Sequence, residues 1–186
     1  MESDILTTNI DSIQSKAEKI KLLICDVDGV LSDGKVYYGS NGEEFKNFNI
    51  KDGLGLKLLQ SNGIQVAIIT GRKSDIVERR AKELGISHLY QGQSDKQAAY
   101  DELLNKVGIS KVQVAHVGDD LPDLPLMQQS AIGFCVADAH WYVKQNADYV
   151  THLSGGCGAV REICDILLKA NGCLEKVLNA YHYSNE

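Results

Sequence analysis

Two aspartates separated by one residue follow an apolar run near the start of the chain. The run 22–25, Leu-Leu-Ile-Cys, is typical of a buried parallel strand, and Asp26 and Asp28 stand just after it. Because side chains alternate along a strand, both carboxylates are expected to point the same way. One of them could attack phosphorus while the other handles the proton of the leaving group. A bare pair of this kind is more often a solvated turn, so the interpretation depends on the rest of the chain.

Other predicted strand ends carry groups that suit a phosphate. A strand predicted over 64–70 leads into Gly71 and Arg72. The Thr70 hydroxyl and an unobstructed Gly71 backbone N–H can contact phosphate oxygens before a helix N-terminus, and Arg72 favours an anionic group. Lys96, at the start of another predicted helix, can place a positive charge on the same group. Since the carboxyl ends of parallel strands meet at one edge of a sheet, these groups are expected to converge on the aspartate pair.

A further acidic group predicts a metal site. The predicted strand 112–117 is followed by Asp119 and Asp120, and Asp123 comes three residues later. If these carboxylates lie beside the aspartate pair, their mutual repulsion requires a cation. Hard carboxylate oxygens with few histidines nearby favour Mg²⁺ over zinc.

The elements that position these groups alternate along the chain. Strands alternating with helices predict a doubly wound, Rossmann-like α/β fold, with a mostly parallel sheet and helices on both faces. Asn-Gly at 41–42 between alternating segments predicts a β-hairpin over about 35–48, projecting from the catalytic end of the first strand. No linker divides the chain, so residues 1–186 are expected to form a single domain, with a C-terminal tail over about 173–186. The predicted strands are 21–26, 64–70, 89–90, 112–117, 131–136 and 148–151. The predicted helices are 11–20, 52–61, 74–84, 94–107, one that contains Pro122 near its start, and about 157–170.

Composition narrows the classes of partner. The chain has 186 residues and a formal net charge of −6, with a pI near 5.4, which argues against nucleic acid or an anionic membrane surface. No apolar run approaches the roughly 18 residues that span a bilayer, and the start lacks the basic segment of a secretory signal, so a cytoplasmic protein is expected. Five cysteines without Cys-x-x-Cys spacing predict neither a disulfide framework nor a zinc site.

In this order, the motifs resemble those of the haloacid dehalogenase superfamily of phosphotransferases. The match covers roughly residues 20–165, from Asp-x-Asp-Gly at 26–29 to Gly-Asp-Asp-x-x-Asp at 118–123. The resemblance implies that Asp26 is a nucleophile that forms an aspartyl-phosphate, and that Asp28 is the general acid and base. It also implies that Thr70 and Lys96 contact the phosphoryl group. Mg²⁺ would be bound by Asp26, by the backbone carbonyl of Asp28 and by Asp119. Asp120 would be a further ligand, and Asp123 would orient bound water.

Nearly the whole chain is similar to one family of phosphoric monoester hydrolases, the 3-deoxy-D-manno-octulosonate 8-phosphate phosphatases of lipopolysaccharide inner-core synthesis. The similar stretches include the Tyr-rich hairpin, residues 49–53 and the glycine-rich stretch 155–162. Lys57 stands where the family pattern has arginine, and Cys157 stands where it usually has a basic residue. The resemblance implies a capless fold, a sugar-acid phosphate substrate and a homotetramer. It also implies a substrate-binding set of Asp28, Asn49, Lys51, Asp52, Gly53, Lys57, Gly71, Arg72, Arg80 and Lys96.

Other interpretations remain open at this point. A phosphatase for another nonulosonate (sialic-acid-like) sugar phosphate would differ in its pocket and not in its mechanism. A receiver-type module phosphorylated on Asp26 would share the fold, but Asp28 argues against it because a signalling domain gains nothing from faster dephosphorylation. A structural domain with a dead site is disfavoured by the intact acidic and basic groups. On pattern alone, Lys57 and Arg80 would lie on solvated helix faces.

The aromatic residues of the hairpin bear on assembly. Tyr37, Tyr38, Phe45 and Phe48 form more aromatic surface than a lone exposed ribbon should show. We therefore expect hairpins of several subunits to pair in a tetramer, each site being roofed by a neighbour, with help from the tail. The alternative is a monomer whose hairpin folds onto its own sheet.

Overall fold

Strands and helices alternate along the chain, as predicted. The computed structural model describes residues 12–182. The strands within them are β1 (Leu22–Cys25), β2 (Tyr37–Tyr38), β3 (Glu44–Phe45), β4 (Gln65–Ile69), β5 (His88–Tyr90), β6 (Val114–Gly118), β7 (Ile132–Cys135) and β8 (Tyr149–Val150). The helices are α1 (12–17), α2 (Ile50–Ser61), α3 (Asp75–Glu83), α4 (Lys96–Val107), α5 (Leu124–Gln129), α6 (Trp141–Asn146), α7 (Ala159–Ala170) and α8 (Leu174–Asn179).

Six of the strands form one sheet in the order β5-β4-β1-β6-β7-β8. Every pairing described in this sheet is parallel. The central strand β1 pairs with β4 on one side and β6 on the other, and its four residues are fully buried. The chain builds one half of the sheet outward from β1 and then crosses to build the other half. The junction of β1 and β6 is therefore the switch point, where open α/β sheets bind their ligands.

Helices cover both faces of this sheet. The side chains of Leu23 and Cys25 belong to a cluster that includes residues of α1, α2 and α7, whereas Leu22 and Ile24 pack with residues of α4 on the other face. This separation follows from the alternation of side chains along β1. The doubly wound α/β fold is thus confirmed. None of the helices within residues 12–182 is both long enough and apolar enough to cross a membrane.

Several element boundaries differ from those predicted. Helix α2 begins at Ile50 rather than at 52, because the Asn49 side chain accepts a hydrogen bond from the Lys51 N–H at 2.8 Å and caps the helix. Strand β6 begins at Val114 rather than at 112, because Lys111–Gln113 form a 3₁₀ turn.

Two short helices were missed by the sequence interpretation. Helix α6 starts after His140, whose ring nitrogen caps the Tyr142 N–H at 3.2 Å, and histidine is not among the residues that usually signal a helix start. Helix α8 lies in the stretch predicted as a tail, and its Val177 side chain packs into the core. The stretch predicted as a tail therefore contains a helix over Leu174–Asn179. Its last part, 183–186, lies outside the described residues, as does residue 11 of the predicted first helix.

The predicted hairpin is present, although its strands are only two residues long. Tyr37 pairs with Phe45 and Tyr38 with Glu44 in antiparallel register. The Gly39 N–H donates to the Glu43 carbonyl at 2.8 Å and closes the loop. Gly42 has φ +89°, a left-handed conformation that favours glycine.

Candidate active site

The carboxyl ends of three neighbouring strands bring the predicted catalytic groups into one cleft. Asp26 follows β1, Thr70 follows β4 and Asp119 follows β6, and the switch point places these ends side by side. The cleft has a volume of about 320 Å³. It is lined by Asp26, Asp28, Thr70, Gly71, Arg72, Gln93, Ser94, Lys96, Asp119, Asp120, Pro122 and Asp123.

The loop after β1 is shaped by glycines at points of very close approach. Gly29 has φ +95°, and a Cβ atom there would lie 2.1 Å from Asp119 Oδ2. A Cβ atom on Gly155 would lie 1.7 Å from the Gly29 carbonyl oxygen. The next residue, Gly156, donates its N–H to the Val30 carbonyl at 2.9 Å. The glycine-rich stretch therefore packs directly against the backbone of the loop after β1, and larger residues at these glycine positions would displace that loop.

Lys96 joins two buried aspartates at the floor of the cleft. Its Nζ lies 2.8 Å from Asp26 Oδ1 and 2.7 Å from Asp123 Oδ1. The lysine is aligned by helix α4, whose first turn is capped by the Asp95 side chain on the Gln97 N–H at 2.9 Å. Burial opposes the charged lysine, but the two carboxylates outweigh it and raise the pKa of Lys96. The lysine is therefore a fixed positive charge in the site.

Asp123 is held from several directions. Its Oδ2 accepts the backbone N–H groups of Asp119 at 3.1 Å and Asp120 at 3.4 Å. Its Oδ1 lies 3.3 Å from Nε2 of His116, a residue buried under the strand end. Although burial works the other way, His116 and Lys96 hold the pKa of Asp123 well below its usual range. Asp123 thus anchors the loop after β6 as a carboxylate.

Three carboxylates form a group that fits a hard cation. Oxygen atoms of Asp26, Asp119 and Asp123 all lie within 4.8 Å of one another. Burial raises the pKa of Asp119 to about 8, with a further contribution from the charges of Asp26 and Asp123. Burial and the neighbouring Asp123 also raise the pKa of Asp26. Acidic oxygens held this close favour an ion such as Mg²⁺ at their centre.

Asp120 does not join this group. Its side chain accepts the Leu121 N–H at 2.8 Å and starts the short 3₁₀ turn Leu121–Asp123. Asp123 therefore takes the third place in the cluster. The metal-ligand role of Asp120 stays a prediction.

The hairpin reaches the second candidate catalytic aspartate. Lys46 Nζ contacts Asp28 Oδ1 directly, and the Lys46 side chain has no exposed surface. Arg72 Nε lies 3.7 Å from Asp28 Oδ2, and its Nη2 donates to the Tyr38 hydroxyl at 2.8 Å. Lys46 was missed by the sequence interpretation, although its alternation with Phe45 on the hairpin strand marked it as facing the opposite side.

Thr70 and Gly71 also line the cleft. Thr70 is buried, and its carbonyl accepts the Gln93 N–H at 3.1 Å. A Cβ atom on Gly71 would first meet the Gln93 carbonyl at 3.7 Å, an ordinary contact. Gly71 is therefore not required here by packing, unlike Gly29.

Six of the predicted substrate-binding residues lie outside the cleft of the described chain. Asn49 caps α2, and its carbonyl accepts a hydrogen bond from Arg80 Nη2 at 3.3 Å. Asp52 is buried, and its Oδ1 accepts the Arg161 N–H at 2.7 Å at the start of α7. The substrate roles of all six stay predictions. They are Asn49, Lys51, Asp52, Gly53, Lys57 and Arg80.

These residues fall into surroundings other than the catalytic cleft. Gly53, Lys57 and Arg80 line a smaller cleft of about 210 Å³. Lys51 lines a groove of about 580 Å³ along α7, which is larger than the catalytic cleft but contains none of the clustered aspartates. The clustered aspartates therefore identify the cleft of about 320 Å³ as the candidate active site, although the groove along α7 is larger.

Comparison with known proteins identifies the family. A haloacid dehalogenase-like hydrolase family model matches residues 85–161. The 3-deoxy-D-manno-octulosonate 8-phosphate phosphatase of Salmonella typhi is 56% identical over 164 residues, which cover 88% of this chain and 87% of the relative. The chain belongs to this phosphatase family. The resemblance in the sequence motifs is thereby confirmed.

Solved structures of the phosphatase family have the same fold. The crystal structure from Yersinia pestis matches with a TM-score of 0.88 and 53% identity over 89% of each chain. The phosphatase from Moraxella catarrhalis matches with a TM-score of 0.91 and 46% identity, covering 92% of this chain and 99% of that one. The Moraxella structure is a complex with a magnesium ion, a phosphate ion and a KDO molecule.

Proposed function

We propose that this protein hydrolyses 3-deoxy-D-manno-octulosonate 8-phosphate to the free sugar acid and phosphate. The observation that carries the proposal is the setting of Asp26, whose buried carboxylate lies 2.8 Å from Lys96 Nζ at the switch point of the sheet. The chain is also 56% identical to a phosphatase named for that substrate. The second observation favours a phosphomonoesterase over a receiver module, and so does Asp28, which lines the same cleft.

The first step transfers the phosphoryl group to the protein. The Asp26 carboxylate attacks phosphorus, and the bond between phosphorus and the sugar oxygen breaks. Asp28, as the carboxylic acid, gives its proton to the departing oxygen. Lys96 and the Thr70 hydroxyl contact the phosphoryl oxygens and stabilise their negative charge.

The second step releases phosphate. Asp28, now a carboxylate, takes a proton from a water molecule as that water attacks the phosphorus of the aspartyl-phosphate. The bond between phosphorus and the Asp26 oxygen breaks, and the carboxylate is regenerated. Asp28 thus serves both steps, which explains why a second carboxylate stands two residues from the nucleophile.

Mg²⁺ is the proposed cofactor. Asp26, the backbone carbonyl of Asp28, and Asp119 would hold it, with Asp123 or Asp120 completing or orienting its surroundings. When bound, the ion neutralises the clustered carboxylates and the incoming phosphate. The clustering of three acidic oxygens within 4.8 Å supports this assignment.

Substrate selection is assigned to Arg72. Its guanidinium borders the cleft beside Asp28, and its side chain is 47% exposed, so it can meet the carboxylate of a sugar acid. A neutral sugar phosphate offers no such second anion. We therefore expect discrimination in favour of sugar-acid phosphates.

We also propose a cytoplasmic homotetramer. Tyr37, Tyr38 and Phe45 of the hairpin are 54%, 69% and 59% exposed, which supports a partner surface there. All five cysteines are free, which suits a reducing compartment. Light scattering of the active protein should give four times the chain mass of 20.4 kDa. A fully active monomer would contradict the tetramer.

The decisive experiment is phosphate release by the purified protein with Mg²⁺ from three substrates. These are the octulosonate 8-phosphate, a nonulosonate 9-phosphate and glucose 6-phosphate, and kcat/KM should be highest for the first. Asp26→Asn should be inactive with an unchanged circular dichroism spectrum, whereas the matched control Asp101→Asn, on the exposed side of α4, should retain activity. Normal turnover by Asp26→Asn would overturn the mechanism. Preference for the nonulosonate would move the substrate assignment to that class.

A further inference from the structure

A lysine of the hairpin contacts the candidate acid and base. Lys46 follows β3, and its Nζ contacts Asp28 Oδ1, while its side chain has no exposed surface. The other carboxylate oxygen, Oδ2, faces Arg72 Nε at 3.7 Å, too far for a hydrogen bond. Asp28 is therefore held through one oxygen by the hairpin, and its second oxygen faces Arg72, a residue that lines the cleft.

A second layer of contacts fixes both cations. Glu44 Oε1 lies 3.6 Å from Lys46 Nζ and 3.6 Å from Arg72 Nη2. This oxygen is buried and has no hydrogen-bond partner among the described residues, so its contribution is the charge it places between the two cations. The Tyr38 hydroxyl accepts from Arg72 at 2.8 Å, which ties the other hairpin strand to the same group.

The strand geometry explains how the hairpin provides these groups. Glu44 and Lys46 are two residues apart and therefore share one face of the strand, while Phe45 between them is 59% exposed. The polar face of the hairpin thus turns toward the catalytic loop of its own chain. The Lys46 side chain has no contact with solvent, which is costly for a lysine unless a carboxylate compensates its charge.

We propose that Lys46 is a positioning residue, which holds the Asp28 carboxyl group so that its Oδ2 faces the leaving oxygen. The inference rests on the proposed function. An ammonium group can only donate hydrogen bonds, so Oδ1 remains an acceptor as long as the contact persists. The transferable proton is then confined to Oδ2. Without Lys46 the carboxyl group can rotate, and misplacement of a catalytic group by about 1 Å can cost on the order of 10²-fold in rate.

The test compares two leaving groups in the first turnover, measured by rapid quenching. The alkoxide of a sugar phosphate needs a proton to depart, whereas p-nitrophenolate departs without one. Lys46→Met should slow release of the sugar by about 10- to 10²-fold but slow release of p-nitrophenol by less than about threefold. KM should change by less than about threefold on both substrates. Lys35→Met is the matched control, because Lys35 lies on the same hairpin, is 69% exposed and pairs with Asp33 at 3.4 Å, away from Asp28 among the described contacts. Both rates should be unchanged in it.

Three other outcomes would overturn the inference. An equal loss on both leaving groups would assign Lys46 a structural role. A raised KM with an unchanged rate would assign it a direct contact with the substrate. If the wild-type protein releases neither leaving group, the proposed function fails first, and the inference fails with it. Should Lys46→Met not fold, Lys46→Gln keeps the hairpin face polar and is subjected to the same comparison.

Discussion

Replacement of Lys96 by methionine should strongly destabilise the metal-free protein. The lysine is 6% exposed, and its Nζ lies 2.8 Å from Asp26 and 2.7 Å from Asp123. Methionine has similar length but no charge, so two buried carboxylates would face each other uncompensated. Removing one partner of a buried ion pair costs about 3–5 kcal/mol, and we expect a loss of about that size in the free energy of unfolding at pH 8.

The loss should be smaller at pH 5. Burial and Asp123 already raise the pKa of Asp26, and loss of the lysine would raise it further. The folded variant would then bind a proton that the unfolded chain releases above about pH 4. Because the folded state holds the extra proton, the stability of the variant rises as the pH falls from 8 toward 5.

Urea unfolding followed by circular dichroism, in buffer with EDTA, measures both effects. Lys106→Met is the matched control, because Lys106 lies in the last turn of the same helix and is exposed. The control should change the free energy of unfolding by less than about 0.5 kcal/mol. With Mg²⁺ present, Lys96→Met should also lower kcat by about 10²- to 10³-fold. A Lys96→Met stability equal to that of the control at pH 8 would refute the role of Lys96 as the charge that compensates this pair.

Three further predictions follow from the site. Burial raises the pKa of Asp119 to about 8, so the folded metal-free protein holds a proton that it loses as the pH rises toward 8, and its free energy of unfolding should fall over that range. Because Mg²⁺ binds the deprotonated carboxylate, calorimetry should show tighter Mg²⁺ binding at pH 8 than at pH 6. Binding that does not depend on pH would contradict this. Arg72→Ala should raise KM for the octulosonate phosphate but not for p-nitrophenyl phosphate, and equal effects on both would exclude recognition of the sugar acid. Gly155→Ala, whose Cβ would lie 1.7 Å from the Gly29 carbonyl, should destabilise by about 1–3 kcal/mol in thermal unfolding. A loss of less than about 0.5 kcal/mol, as for a surface substitution, would count against the close approach.

The sequence by itself determined the fold class and the centre of the candidate site. Continuous apolar runs separated by amphipathic helices specify a parallel sheet, and β1 carries enough apolar residues on both faces to lie in its middle. Once the strands are parallel, their carboxyl ends share one edge. The convergence of Asp26, Thr70 and Asp119 was therefore predictable from local patterns alone. Asn41-Gly42 likewise predicted the hairpin turn from its own backbone preferences.

Only the tertiary structure decided which side chains complete the site. Asp120 and Asp123 are equivalent by spacing, but the 3₁₀ turn directs Asp120 to the Leu121 N–H and Asp123 to Lys96. Lys46 is one charge among several on a hairpin until the ribbon folds over Asp28. Local patterns specify the conformation of a segment, whereas contacts between segments far apart in the chain depend on distances of a few ångströms that are set by the packing of the whole domain. For that reason the reacting pair and Lys96 could be found from the sequence, whereas the contacts made by Asp123 and Lys46 could not.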